Sequence, residues 1–337
     1  LPYTPMMLQY FEVKNQYKDH MLFYRLGDFY EMFFDDAQTA SKELDLTLTG
    51  RDCGMEERAP MCGIPYHSAD GYIAKLVKKG FKVAICEQLE DPATAKGIVK
   101  RDVVRIITPG TITEGSLLVE GKNNYLCAVY LQGATAGFCV ADISTAEIYA
   151  TEFSDGDIGL KLLNEIGLYA PSEVIVNVPE HALAELATFV TGRLGGIFSA
   201  DNPGRFEKVP QDRVKKQFGE DILIKNGIAE HSPALPAIAA LIDYLSETQK
   251  TDISYMNTLN YYSNEHFLGI DVNTRRNLEL SETMRTKEKK GTLLWVLDKT
   301  KTAMGARLLR KWIEQPLLNC NAIEKRQQAV AELFENY

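Results

Sequence analysis

Along the first hundred positions the spacing of apolar residues switches repeatedly between two periods, and this alternation restricts the fold more than any single motif. Thr4-Pro5 predicts a helix start, with Thr4 as N-cap and proline in the first turn, and Met7, Leu8 and Phe11 then fall on one side. Met21 to Leu26 reads as an apolar strand closed by Gly27-Asp28. Phe33, Ala37, Ala40 and Leu44 recur at helical spacing, with Asp35 and Asp36 placed to complement the first-turn dipole. Leu46 and Leu48 alternate with threonines as a short strand, and Arg51 to Pro60 reads as a polar loop. Ser68 is placed to cap a helix carrying Tyr72, Ile73, Leu76 and Val77, after which Phe81, Val83 and Ile85 return to strand spacing. A small mixed α/β domain over residues 1–110 follows from this order.

Turn residues without periodicity run from Pro109-Gly110 to Gly121, so residues 111–122 read as a linker. Three strand-like runs come next, at Tyr125 to Leu131, Ala136 to Ile143 and Glu147 to Phe153, joined tightly enough for an antiparallel meander. A helix at Ile158 to Tyr169, a strand at Glu173 to Val178, a helix at Glu180 to Thr191 and another from Pro233 to Leu245 complete residues 123–250. Three strands followed by alternating helix and strand is the ribonuclease-H-like arrangement. Lys250 to Tyr261 then returns to extended chain, and the third segment, within residues 251–337, opens with Leu268-Gly-Ile-Asp and is helical at Thr274 to Met284, Leu293 to Leu297, Gly305 to Gln315 and Ile323 to Phe334. Its last periodic run reaches Tyr337 without a cap or glycine, so this all-α domain is expected to be only started here. The expected class is therefore α/β multidomain: a mixed α/β unit, a ribonuclease-H-like α/β unit and the start of a helical core.

The net charge of −9 argues at first against a nucleic-acid partner. It is unevenly spread: −2 over residues 1–110, −10 over 111–259 and +3 over 260–337. Contact with phosphates is thus expected to avoid the acidic middle, which suits a spacer or a protein-facing surface. Apolar runs such as Leu126 to Leu131 are far shorter than a membrane span, and six scattered cysteines without a C-x-x-C pair suggest neither zinc nor a disulfide framework. These features predict a cytoplasmic protein without a membrane segment. No H-E-x-x-H occurs and no metal is assigned.

Chemistry concentrates in Phe23-Tyr-Arg-Leu-Gly-Asp-Phe-Tyr-Glu-Met-Phe33. In an extended segment Phe29 and Glu31 share a face, because side chains repeat every two residues. An apolar wedge can enter a base step from the minor groove while a neighbouring polar group tests the base it exposes. Unstacking costs least at a mispair, which by itself gives selectivity. The ordinary role of an aromatic residue in a strand is core packing, so F-x-E alone decides nothing.

Longer motifs do. Thr4-Pro-Met-Met-Leu-Gln-Tyr10, the Phe23 to Phe33 stretch, Gly63-Ile-Pro-Tyr-His67, Val83-Ala-Ile-Cys-Glu-Gln88, Asp91-Pro-Ala-Thr-Ala-Lys96 and Val104-Arg-Ile-Ile-Thr-Pro-Gly-Thr111 resemble, in order and spacing, the signatures of the MutS family. Thr274-Arg-Arg-Asn-Leu-Glu-Leu280, Met304-Gly-Ala-Arg-Leu-Leu-Arg-Lys-Trp312 and Gln315-Pro-Leu317 resemble the start of that family's helical core. The resemblance implies a mismatch-binding domain, a connector domain and the first part of the core. It places Phe29 on the stacking phenylalanine and Glu31 on the base-contacting glutamate, with Arg51 and Leu26 on positions close to DNA. Gly50 departs from relatives that carry lysine there, which puts phosphate contact at that position in question. The implied partners are mismatched double-stranded DNA, MutL through the connector, and a second subunit through a C-terminal region not included here. ATP and Mg2+ are expected in that same region, since no G-x-x-x-x-G-K-S/T occurs in these residues and no cofactor is assigned to them. Without the clamp and ATPase segments, the isolated chain is expected to bind mismatched DNA weakly or not measurably.

Other features read as structural. His67 beside a helix start, Lys78-Lys79 at a helix end, and Arg307, Arg310 and Lys311 along one helix fit packing or solvated faces. Two other function classes compete. A protein-interaction or relay module fits the acidic middle, whereas a ribonuclease-H-like nuclease is disfavoured because Tyr125 to Leu131 carries no carboxylate and Asp142 stands alone on the second strand.

Overall fold

A computed structural model describes residues 3–90, 97–113, 118, 121–263 and 266–336. The Asp91 to Lys96 motif, part of the expected linker and Tyr337 lie outside the described residues. The architecture is mixed α/β with two six-stranded mixed sheets. Contacts divide the chain into two compact units, one of Leu1–Ile112 with Ile242–Tyr255, the other of Thr113–Leu241 with Met256–Tyr337.

The first unit runs α1 (Pro5–Gln16), β1 (Met21–Leu26), β2 (Phe29–Phe33), α2 (Phe34–Leu44), β3 (Thr49–Arg51), β4 (Ala59–Pro65), α3 (Ala69–Lys78), β5 (Val83–Gln88) and β6 (Arg101–Ile107). Its sheet has the order β3-β4-β2-β1-β5-β6, with β1 antiparallel to β2 and parallel to β5. Both faces are covered, which is why β1 is buried over four successive residues. On one face Phe23, Tyr30, Met32, Val83 and Ile85 meet Ala37, Ala40 and Leu44 of α2 and Ile73, Leu76 and Val77 of α3. On the other, Leu22, Tyr24, Phe33, Ala84 and Cys86 meet Met7, Tyr10 and Val13 of α1. Thr4 caps α1 through Met7 N, as its position predicts. Within the same unit Lys82 Nζ donates to Tyr244 Oη at 3.2 Å, and Lys250 lies over the Tyr17 ring.

Several local expectations need correction. The strand expected at Leu46 and Leu48 lies at Thr49–Arg51 instead: Asp45 adopts a left-handed conformation at the end of α2, Leu46 turns onto the core and Leu48 stays exposed. The polar loop is shorter than Arg51 to Pro60 because both ends enter strands. Ser68 does not cap α3; its hydroxyl donates to Pro65 O. Residues Pro109–Thr111 are a buried turn rather than open linker, held by reciprocal Thr108 and Thr111 hydrogen bonds.

The second unit opens with β7 (Leu126–Gln132), β8 (Thr135–Asp142) and β9 (Glu147–Phe153), an antiparallel meander as expected. Next come α4 (Ile158–Tyr169), β10 (Glu173–Val176), α5 (Ala184–Thr188), β11 (Ile197–Ala200), α6 (Pro203–Glu207), α7 (Pro210–Phe218), α8 (Ile222–Asn226) and α9 (Ala234–Gln249), which from Ile242 on belongs to the first unit. The sheet order is β11-β10-β7-β8-β9-β12, where β12 (Thr258–Tyr261) and both β10 and β11 pair in parallel. Gly137 on β8 is required by space: a Cβ there would fall 2.8 Å from Ala234 Cα and inside the shell of the Pro233 carbonyl. The helix expected over Glu180 to Thr191 is broken into a 3₁₀ turn, α5 and a π-helical turn.

The chain ends in α10 (Val272–Asn277), α11 (Leu293–Leu297), α12 (Ala303–Glu314) and α13 (Cys320–Glu335). The first of these stops well before Met284, since Glu279 takes a positive φ that a helix cannot continue through. Lys311 is not on a solvated stripe: its ammonium donates to Tyr149 Oη at 2.7 Å and sits 4.1 Å from the ring centroid, while Arg310 faces Glu314. Among the described residues no helix is long and apolar enough to cross a membrane.

Candidate nucleic-acid interface

The β1–β2 hairpin positions the site. Leu26 pairs directly with Phe29, so Gly27-Asp28 form a two-residue loop. Gly27 has φ +58 with open space around it, so the backbone conformation rather than crowding requires glycine. The strand that leaves this loop changes character within five residues. Tyr30 and Met32 point into the α2 and α3 face, while Phe29, Glu31 and Phe33 share the α1 face. Phe33 is fully buried against Tyr10, whereas Phe29, four residues nearer the tip, is 46% exposed. Alternation thus delivers the aromatic ring and the carboxylate to one face, and α1 covers only the far end of it.

Leu26 is half-buried and lies across the strand pair from Phe29, giving the ring an apolar neighbour. Arg51 forms an ion pair with Glu31 across the intervening strand β4, the guanidinium side chain being 37% exposed and the carboxylate side chain 13%. All four residues singled out from the sequence therefore belong to one surface of the first unit. At Gly50 an added Cβ would stand 3.1 Å from Arg58 Cβ, so the exposed Arg58 side chain occupies the ground beside that glycine.

Two contributors escaped the sequence reading. Gly63 on β4 lies opposite Glu31, and a Cβ there would meet Glu31 Cγ at 3.5 Å and Phe29 Cδ1 at 3.9 Å. Its missing side chain leaves the seat in which both residues lie. The second is a brace on the opposite face. Arg25 lies 3.6 Å above the Tyr66 ring, approaches Glu87 at 3.5 Å and donates to Gly27 O, while Tyr30 Oη bonds Glu87 and Tyr66 N donates to Asp28 O. Burial and the Glu87 carboxylate push the Tyr30 hydroxyl well above its usual range, so it stays a donor. The signal for both was present in Gly63-Ile-Pro-Tyr-His67, but Pro60 and Pro65 obscured the strand between them.

Away from this surface, Asp142 accepts hydrogen bonds from Asn123, Asn124 N and Ser144, and is buried. No group of three or more His, Cys, Asp or Glu side chains among the described residues is arranged to hold a metal ion.

Comparison with known proteins places these features in a family. Models of MutS domain I, MutS domain II and MutS domain III match residues 4–116, 124–260 and 273–337. The DNA mismatch repair protein MutS of Ruminiclostridium cellulolyticum is 54% identical over 335 residues, covering 99% of this chain and 38% of the relative. The proteins of that name from Alkaliphilus oremlandii and Acetivibrio thermocellus are 52% and 50% identical over 335 residues, covering 98% and 99% of this chain and 38% of each relative. The chain thus spans about 38% of the length of these relatives. With three domain models matched in order and such identity along nearly all its residues, the chain belongs to the MutS family.

Proposed function

We propose that this chain recognises mismatched or unpaired bases in duplex DNA as the first step of mismatch repair. Phe29 enters the helix from the minor groove at a weakly stacked step, and Glu31 accepts a hydrogen bond from the base so exposed. The observation that carries this reading is the half-exposed Phe29 ring at the tip of a hairpin whose other aromatic residues are buried, with a carboxylate on the same face. A ring placed there gains nothing for the fold from its exposed half, but it is braced from behind by Arg25, Tyr66 and Glu87. Arg51, Arg58 and Leu26 border it, two cations for phosphates and one apolar contact for the sugar edge.

The same family membership supports the division into a mismatch-binding domain (1–110), a linker (111–122), a connector (123–250) and the start of a helical core (251–337). The β7–β8–β9 meander flanked by parallel β10 and β11 supports a ribonuclease-H-like connector. We assign the connector contact with MutL, as the family resemblance implies and its acidic charge allows, and place ATP, Mg2+ and the homodimer contacts outside these residues. A nuclease reading has little support, because Asp142 is consumed by its own turn and β7 offers no carboxylate. The free thiols fit a place in the bacterial cytoplasm.

Titration of the chain with G·T and fully paired duplexes at low salt, followed by amide chemical shifts, tests the proposal. Weak binding with a clear preference for the mismatch, centred on the β1–β2 hairpin, is expected. Shifts that avoid the hairpin, or equal affinity for both duplexes, would contradict it.

A further inference from the structure

The Glu31–Arg51 ion pair raises a question that the role of Glu31 alone does not answer. A carboxylate aimed at DNA is repelled by phosphates, yet here it is already matched by a guanidinium from the next strand but one. The two partners differ in cover. Glu31 is enclosed enough by Gly63, Phe29 and β4 that leaving it bare is costly, whereas Arg51 stands partly in solvent on an edge strand and can turn outward.

We propose that Arg51 is a specificity-determining latch on Glu31, closed on paired DNA and opened only by a mispaired base. This rests on the reading of Phe29 and Glu31 given above. In the closed state the guanidinium neutralises the carboxylate, so the hairpin approaches any duplex without a bare negative charge. When Phe29 displaces a weakly stacked base, that base offers Glu31 a donor. The carboxylate exchanges one charge-assisted hydrogen bond for another, and the released Arg51 turns to the nearest phosphate. A well-stacked pair offers no such donor, so the exchange has no partner and the cation stays on Glu31. Discrimination then has two linked parts, easier unstacking at the mispair and one extra phosphate contact that only the open state makes.

Counting phosphate contacts tests this. Each neutralised phosphate adds about 0.9 to the slope of log affinity against log salt. The wild-type chain should therefore show a slope steeper by about 0.9 on a G·T duplex than on the paired duplex of the same sequence. In Glu31→Gln the latch has no anion to hold, so both duplexes should give the steeper slope. In Arg51→Met both should give the shallower one. Guanidinium Nε–Hε resonances of the free chain supply a second readout: the Arg51 signal should shift in Glu31→Gln and, in wild type, on addition of G·T duplex but not of paired duplex. Equal wild-type slopes, a slope difference that survives Arg51→Met, or an Arg51 signal indifferent to Glu31→Gln would overturn the latch. Phe29→Ala separates this from the underlying reading. If that variant loses mismatch preference while the wild-type slopes are equal, the latch fails and the reading stands; if it keeps the preference, both fail.

Discussion

Phe29 and Phe33 lie on the same face of one strand, and truncating each to alanine should produce opposite outcomes. Phe33 is fully buried, its ring edge-on to Tyr10 at 5.1 Å. Removing a ring from such a site costs about 3–5 kcal/mol, because neither α1 nor the sheet can close the void. At roughly 4 °C per kcal/mol for a unit of this size, melting should fall by about 12–20 °C. Phe29 keeps 46% of its surface in solvent. About half of a ~200 Å² aromatic surface, at 25 cal/mol per Å², sets a ceiling near 2.5 kcal/mol. A partly open site relaxes, so about 1 kcal/mol is the expected cost. The stack Phe29 would lose with a displaced base is worth about 1–3 kcal/mol, or about 5- to 150-fold in affinity. Only mismatched duplex makes that stack, so the whole loss falls on the mismatch preference. Thermal melting and paired titrations with G·T and matched duplexes read both quantities. Phe29→Ala melting as low as Phe33→Ala, or binding the two duplexes in the wild-type ratio, would refute the division of labour along β2.

Three further outcomes follow from other parts of the molecule. Gly137→Ala should destabilise the second unit by at least about 3 kcal/mol, since its Cβ meets the backbone of Pro233 and Ala234, while Gly71→Ala, with open space on α3, should be neutral or stabilising by about 0.5–1 kcal/mol; comparative melting checks the pair. Gly63→Val should leave the fold intact, because valine suits a strand, but its γ-methyl groups would push Phe29 and Glu31 from their seat and cut the mismatch preference measured by competition; an unchanged preference would show the seat to be wider than it looks. Burial, aided by Lys82 and Lys14 and opposed by Asp19 and Glu247, lowers His20 from its ordinary 6.5 to about 4. The unfolded chain therefore takes up the proton first, so this contribution to stability is complete above pH 6.5 and is lost as pH falls towards 4; His20→Gln should melt with a smaller drop between those pH values than wild type.

Much of the scaffold was legible because apolar periodicity and burial coincide. Ala37, Ala40 and Leu44 form the buried side of α2, and Ile158 to Tyr169 is α4 at the expected ends. Pairing in space was not legible. Strand β4 hides between Pro60 and Pro65, β6 and β11 are short of alternation, α6 and α8 are too short and α7 too polar to announce themselves. For the surface of interest, period-two spacing placed Phe29 and Glu31 together, but it could not show that Phe33 on the same face is sealed while Phe29 is open. That difference depends on where α1 ends against the sheet, a tertiary fact. The ion pair of Glu31 with Arg51 likewise depends on β3 and β2 flanking β4, an order no local pattern encodes.

The most direct test installs a photoreactive phenylalanine analogue at position 29 and maps the nucleotide it cross-links in duplexes whose single mispair is placed at different points. The account predicts cross-links at the mispaired step that follow it along the duplex and are scarce on fully paired DNA. Cross-links that ignore the position of the mispair, or that form equally on paired duplex, would contradict the claim that this ring enters the helix at the lesion.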